Sequence, residues 1–252
     1  MNSPAVDPLA PLLALPGVAE AAETAREALA KVHRHPANRR GWPTTSAESV
    51  LRGARASAGA EGASVRLDSD SGPDEVLSAT LRVAGELTGE SLDRAVGVWT
   101  RSPLQELAHL HLLAASGPDV DPESLGRPRP DAGVAERLQG LAELVTGGTR
   151  VPAPVLAAVV LGELSGLEPF GSADGIVARA AFRLVAVSTG LDPHCLGVPE
   201  VTFYRDPQAL RSAVDGYMTG TEDGVASWII YCCKALEAGA VEATSIAEAV
   251  GT

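Results

Sequence analysis

Residues 168–179 read Glu-Pro-Phe-Gly-Ser-Ala-Asp-Gly-Ile-Val-Ala-Arg, and this stretch decides how the rest of the chain is interpreted. One apolar run ends at Pro169, and a second follows the glycines and contains Arg179 and Arg183. The pattern predicts two helices joined by a short loop. Backbone N–H groups at a helix start are unpaired, so such a corner can bind an anion. Arg179 could then close over a phosphate, with Arg183 on the same helix face.

A second interpretation of this corner needs no ligand. Gly171 and Gly175 would then only permit the turn between two core helices, because a single glycine-containing loop is a weak signal of phosphate binding. The residues alone leave both interpretations open.

The stretch also resembles the motif of the Fic (Fido) family, His-Pro-Phe-x-Asp/Glu-Gly-Asn-Gly-Arg-x-x-Arg. Pro169, Phe170, Gly175 and Arg179 match this motif at the correct spacing. The resemblance covers residues 45–240 and is greatest to an actinobacterial branch of the family with divergent motifs. It implies an all-α Fic-fold helical bundle, a single domain with an N-terminal helical extension.

A second family pattern lies earlier in the chain. Members with an inhibitory helix carry Ser/Thr-x-x-x-Glu-Gly/Asn, and residues 57–62 read Ser-Ala-Gly-Ala-Glu-Gly. In such relatives the glutamate pairs with the last arginine of the motif and blocks the γ-phosphate site of ATP. The resemblance therefore implies an inhibitory-type pattern from Ser57 to Glu61, with Glu61 paired to Arg179. The alternative is a plain helix C-terminus with an exposed glutamate.

Four positions that carry chemical groups of the motif differ from the family pattern, whose chemistry is the transfer of AMP from ATP to a protein hydroxyl. Glu168 replaces the histidine base, and a carboxylate with its usual pKa of roughly 4 is a poorer proton acceptor than imidazole at roughly 6.5. Ser172 replaces the carboxylate that binds Mg²⁺. Asp174 brings a negative charge where an asparagine contacts phosphate, although it could instead cap the helix. Ile176 replaces the first arginine.

These differences predict a pseudoenzyme that lacks conventional AMP-transferase activity and acts as a binding or regulatory module. No cofactor would be required, and binding of ATP and Mg²⁺ would be weak or absent. The alternative is a diverged nucleotidyl- or phosphate-donor transferase that uses Glu168 as its base. In either case the candidate anion- or nucleotide-binding residues are Gly171, Ser172, Asp174, Gly175, Arg179 and Arg183, and no metal-ligand set is expected.

The composition narrows the range of partners. The net charge of −12 disfavours nucleic acid, which would need a basic face, and the cationic residues near 33–40 are expected to be a solvated helix end. The longest apolar stretch, 155–161, is too short to span a membrane, and the N-terminus has no signal-peptide pattern. The three cysteines form no disulfide framework and favour a cytoplasmic location. A protein partner or a small polar ligand is expected, and a homodimer is compatible with the sequence.

Helical patterns divide the chain into an N-terminal arm and helix, residues 1–44, and a helical domain, residues 45–247. Aromatic residues make up only 4% of the chain, so Ala, Leu and Val must form the core. Capping-box spacing predicts that the inhibitory-type helix covers 45–62. Residues 1–15 are expected to be loosely held, and the proline-rich 117–131 to be mobile or to wrap the surface.

Some smaller features complete the sequence-based picture. Val198, Val201 and Phe203 could belong to a short extended segment. His109 and His111 lie two residues apart on a predicted helix, hence on different faces, and neither is expected to be catalytic.

Overall fold

The computed structural model describes residues 7–65, 74–117 and 120–250. Within these ranges the chain forms eleven α-helices and no β-strand, which confirms the all-α prediction. The helices are α1 Val18–Arg34, α2 Asn38–Ala60, α3 Glu75–Gly85, α4 Gly89–Trp99, α5 Pro103–Ala115, α6 Val134–Glu143, α7 Ala153–Leu167, α8 Asp174–Ser188, α9 Glu200–Arg205, α10 Pro207–Met218 and α11 Glu222–Val250.

Helices α7 and α8 form the centre of the fold, and they pack against each other along their lengths. Nearly every residue of α7 between Pro154 and Leu164 is buried, and so is nearly every residue of α8. Both helices are rich in alanine and valine, and small side chains let helix axes approach closely. The three cysteines are unpaired and buried, as expected of small core residues.

Helix α11 packs against α1, α2, α7, α9 and α10. By length and composition it could also cross a membrane, with a mean hydropathy of 1.2 over an 18-residue window of which 50% is buried. The buried Trp228 of α11 donates its Nε1–H to the carbonyl of Ala158 in α7 at 2.8 Å. These contacts are those of a core helix, which passes the same test of length and hydropathy.

The start of α2 differs from the sequence prediction. The helix begins at Asn38 and continues through Pro43, rather than starting near Thr45. Thr45 does not act as a cap; it is buried and donates its hydroxyl to Asn38 Oδ1 at 2.8 Å, while Asn38 donates to the carbonyl of Val32 at 2.9 Å. These side-chain bonds offset the backbone bond that Pro43 cannot make.

Two other segments also differ from expectation, and a third agrees with it. The N-terminal arm, expected to be loosely held, is fixed to the rest of the protein at Asp7. The carboxylate of Asp7 accepts hydrogen bonds from Thr149 Oγ1 and Arg150 N, both at 2.7 Å. The extended segment predicted at Val201 and Phe203 is wrong, since both belong to α9. Residues 117–131 wrap the surface where they are described, whereas residues 1–6 and 118–119 lie outside the described ranges.

Candidate functional site

The loop between α7 and α8 turns through left-handed backbone conformations. Glu168 ends α7 with a φ of 45°, Gly171 has a φ of 74°, and Ala173 precedes α8 with a φ of 53°. A non-glycine residue in this region costs roughly 1–2 kcal/mol, so the loop geometry is kept against the preference of two of its own residues. Ala173 is the residue before the helix and offers no side-chain cap; the suggestion that Asp174 caps α8 is therefore wrong.

Asp174 instead binds the loop that precedes it. Its carboxylate accepts a hydrogen bond from the backbone N–H of Phe170 at 2.9 Å. Burial raises the pKa of Asp174 to about 6, while hydrogen bonds from Phe170 and Gly171 oppose that rise. At pH 7 the group is therefore mostly ionised. Asp174 therefore brings a negative charge to the backbone N–H groups of Phe170 and Gly171.

Arg179 lies almost fully buried at the other side of the same corner. Its Nε donates to Ser57 Oγ at 2.8 Å, and a terminal nitrogen donates to Glu61 Oε1 at 2.6 Å. The pairing expected between Glu61 and Arg179 is thus present. The side chain of Arg179 is 5% exposed and that of Glu61 is 36% exposed, so the glutamate covers the arginine from the solvent side.

Gly175 leaves room for the Glu61 carboxylate. A Cβ at this position would lie 2.3 Å from Glu61 Oε1, which no side chain could tolerate without displacing the glutamate. The motif glycine therefore has a packing role here: it admits the carboxylate that pairs with Arg179.

A cleft of about 580 Å³ opens beside this pair. The cleft is lined by Glu61, Glu168, Gly175 and Arg179. Residues of α10 also line it, and they include Arg211, Asp215 and Met218. Glu168 is exposed, so its carboxylate faces solvent and the cleft. Gly171, Ser172 and Asp174 do not line the cleft.

The order and packing of these helices match a solved structure, the crystal structure of a Fic family protein from Desulfovibrio desulfuricans G20, with a TM-score of 0.67. The chain has a Fic-type fold. The match covers 91% of this chain and 74% of that chain at 18% sequence identity, so it shows the fold alone. No family model and no curated protein matches the sequence.

In this Fic-type fold Arg183 is not part of the anion site, which corrects the sequence prediction. Its guanidinium forms a two-pronged ion pair with Glu200, at 2.5 Å and 2.7 Å, and also donates to Cys195 Sγ at 3.2 Å. Both charged side chains are about 95% buried. The same helix face that carries Arg179 to the cleft carries Arg183 into the interior, where α9 supplies its counter-charge.

Ser172 is held by His111, a contact that the sequence did not predict. His111 Nδ1 accepts from the N–H of Gly126 at 2.9 Å, so the proton of the neutral ring lies on Nε2, which donates to Ser172 Oγ at 3.1 Å. The His111 ring also stacks on Phe170, with centroids 4.2 Å apart. Burial lowers the pKa of His111, so the ring stays neutral and acts as a support for the loop.

Arg129 braces the loop from outside, and it too was missed. Its side chain donates to the carbonyls of Glu168 at 2.8 Å and Leu167 at 3.0 Å, and its N–H donates to Pro169 at 2.7 Å. Cations favour the carbonyl end of a helix, here the end of α7. No local pattern could have revealed this contact, because it joins residues about 40 positions apart.

Two positions at which the Fic motif has groups for MgATP carry other side chains in this chain. Among the described residues there is no group of three or more side chains able to hold a metal ion. Ser172 offers only a neutral hydroxyl, whereas Mg²⁺ prefers carboxylates and phosphates. Ile176, at the position of the first motif arginine, is buried in the hydrophobic core.

Proposed function

We propose that this Fic-fold protein is a pseudoenzyme that acts as a binding or regulatory module and does not transfer AMP. One observation carries the proposal: carboxylates of the chain itself occupy both remaining anion-binding elements. Glu61 pairs with Arg179, and Asp174 accepts from the loop N–H of Phe170. A triphosphate would have to displace both.

The chemistry of the remaining residues supports the same conclusion. Glu168 stands where the family has its histidine base, and Ser172 stands where it has its metal ligand. Each lost charge-assisted contact is worth roughly 1.5–3 kcal/mol, and every 1.4 kcal/mol in the barrier is about a factor of ten in rate. Losing the base, the metal ligand and one arginine together should lower AMP transfer by many decades.

The charge of the cleft suggests what it binds instead. Its acidic residues are Glu61, Glu168 and Asp215, and its basic residues are Arg179 and Arg211. Arg179 and Glu61 cancel as a pair, which leaves the carboxylates of Glu168 and Asp215 against the guanidinium of Arg211 and an excess of one negative charge. We therefore propose a ligand with ammonium or hydroxyl groups, either a small polar molecule or a side chain of a protein partner.

A second candidate is a diverged nucleotidyl- or phosphate-donor transferase. One observation favours it: Glu168 lines the same cleft as Arg179, so a base and a cation still face one space. In this version Glu168 takes the proton of an acceptor hydroxyl, and the donor phosphate displaces Glu61 from Arg179.

Labelled ATP separates the two candidates. The protein would be incubated with ATP, Mg²⁺ and cell lysate, alongside Glu168→Ala and, as a control, Glu136→Ala, an exposed glutamate that does not line the cleft. The pseudoenzyme predicts background labelling in all three samples. Robust labelling that disappears only in Glu168→Ala would overturn the proposal in favour of the transferase.

A further inference from the structure

A second cavity, of about 600 Å³, lies between the N-terminal arm, α6, α7 and the junction of α10 with α11. Among the described residues that line it, Met218 alone also lines the cleft, so the two spaces are separate sites. Its volume falls within the range of roughly 300–1,000 Å³ that is typical of pockets for small molecules.

The wall of this cavity is mostly apolar. Leucines from three segments and valines from two helices contribute most of it: Leu9, Leu12, Leu141, Leu144, Val159 and Val225. The arm residues among them are fixed in place because Asp7 bonds to Thr149 and Arg150. An apolar wall with a tethered cover suits the hydrocarbon part of a ligand.

One polar cluster interrupts the apolar wall, centred on Glu163 of α7. Arg137 donates to Glu163 Oε2 through Nε at 3.0 Å and through a terminal nitrogen at 2.7 Å. The hydroxyl of Tyr217 donates to Glu163 Oε1 at 2.8 Å. The carboxylate is therefore held rigidly, with its side chain 21% exposed. An oxygen of an ionised carboxylate has two lone pairs, so Oε1 retains room for one more donor.

The charge balance selects the head group. Glu163 and Arg137 cancel as an ion pair, and the exposed carboxylate of Glu143 leaves the wall of the cavity with an excess of one negative charge. The net charge of the chain, −12, also attracts cations. We propose that this cavity binds a small apolar amine, with its hydrocarbon chain against the leucines and its ammonium group donating to Glu163 Oε1.

Three probes with the same chain and different heads test the proposal: octylamine, 1-octanol and octanoate, each titrated calorimetrically into the full-length protein. Octylamine should bind at one saturable site about tenfold more tightly than octanoate, since only the ammonium group can donate a charge-assisted hydrogen bond to Glu163. Octanol should fall between them. No saturable binding, or tightest binding of octanoate, would overturn the proposal.

Gly140 provides a variant that fills the cavity without crowding the fold. It lines the space, and a Cβ added there would meet nothing within 4 Å. Gly140→Phe should therefore fold and lose octylamine binding by at least about tenfold. Gly41→Phe is the matched control, because Gly41 is also helical and open but lies outside the cavity. Binding that survives Gly140→Phe would place the amine elsewhere and contradict the proposal.

Glu163→Gln tests the head group separately. The amide keeps an oxygen acceptor for Tyr217 but removes the charge, so the preference for octylamine over octanol should disappear while octanol binding stays within about twofold. An unchanged preference would show that Glu163 does not hold the ammonium group. Because none of these variants touches Arg179 or Glu168, their outcome is independent of the proposed function of the cleft.

Discussion

Helix α8 carries two arginines one turn apart, and each is paired with a glutamate from a different helix. Arg183 and Glu200 are both about 95% buried and meet through two hydrogen bonds. Arg179 is equally buried, but its partner Glu61 is 36% exposed and lines the cleft. The same chemical pair is therefore enclosed at one position and open to solvent on its acidic side at the other. The difference lies in the partner's access to solvent.

The buried pair should give the largest effect. Glu200→Ala leaves Arg183 charged and unpaired in the interior, so the free energy of unfolding should fall by about 3–5 kcal/mol. Urea denaturation would measure this. Glu23→Ala is the control, because the Glu23–Arg26 pair is more than half exposed, and its loss should change stability by less than about 0.5 kcal/mol. Equal effects of Glu200→Ala and Glu23→Ala would contradict the claim that the buried pair supports the fold.

Asp174 should make stability depend on pH. Its pKa is raised from 3.8 to about 6 in the folded state, so the ionised form is disfavoured by folding. The stability of the wild type relative to Asp174→Asn should therefore be highest below pH 4 and decline as pH rises through about 6. The decline should be about 1–2 kcal/mol after allowance for solvent screening. Denaturation midpoints of both proteins across this range would show it, and parallel profiles would rule it out.

Ser57 should have a smaller effect on the cleft pair. Ser57→Ala removes the hydroxyl that accepts from Arg179 Nε at 2.8 Å, while the Ser57 carbonyl still accepts from the same guanidinium. We expect a loss of about 1 kcal/mol in unfolding free energy. Ser91→Ala serves as the control because its hydroxyl accepts from the exposed side chain of Arg94. A loss near that predicted for Glu200→Ala would mean that the contacts of Arg179 support the fold as strongly as the Arg183–Glu200 pair does.

The smallest effect on stability is expected for Glu61→Gln. The glutamate is 36% exposed, the amide oxygen of the glutamine can still accept from Arg179, and Ser57 keeps its two hydrogen bonds to the guanidinium, so the loss should be about 0–1 kcal/mol. Thermal unfolding should therefore change little, although the positive charge of Arg179 becomes available to a ligand. A loss of several kcal/mol would show instead that Glu61 supports the fold.

Local patterns in the sequence were enough to predict the helical core. The apolar runs of α7 and α8 and the glycine-containing loop between them are each encoded by contiguous residues. The start of α2 was predicted wrongly because Pro43 normally ends a helix, and only the side-chain bonds of Asn38 and Thr45 show why it does not. Such tertiary compensation leaves no periodic signal.

The sequence predicted only the part of the site that lies within the two patterns, residues 57–62 and 168–179. These two short patterns predicted the contact between Arg179 and Glu61, which is present. Arg183 is buried because it pairs with Glu200 of α9, a short helix that was not predicted. The hydrogen bond between His111 and Ser172 joins positions 61 residues apart. Contacts of this kind follow from the fold and cannot be read from neighbouring residues.

The central claim is that Glu61 and Asp174 fill an anion site that would otherwise be open. Isothermal titration of ATP, with and without Mg²⁺, into the wild type, the double variant Glu61→Gln/Asp174→Asn and the charge control Asp215→Asn tests it most directly. We predict no saturable binding by the wild type or the control. The double variant should bind ATP saturably, at least about tenfold more tightly than the detection limit that the wild type fails to reach, with no dependence on Mg²⁺. Saturable binding of MgATP by the wild type that Arg179→Ala abolishes, or no gain in the double variant, would contradict the account.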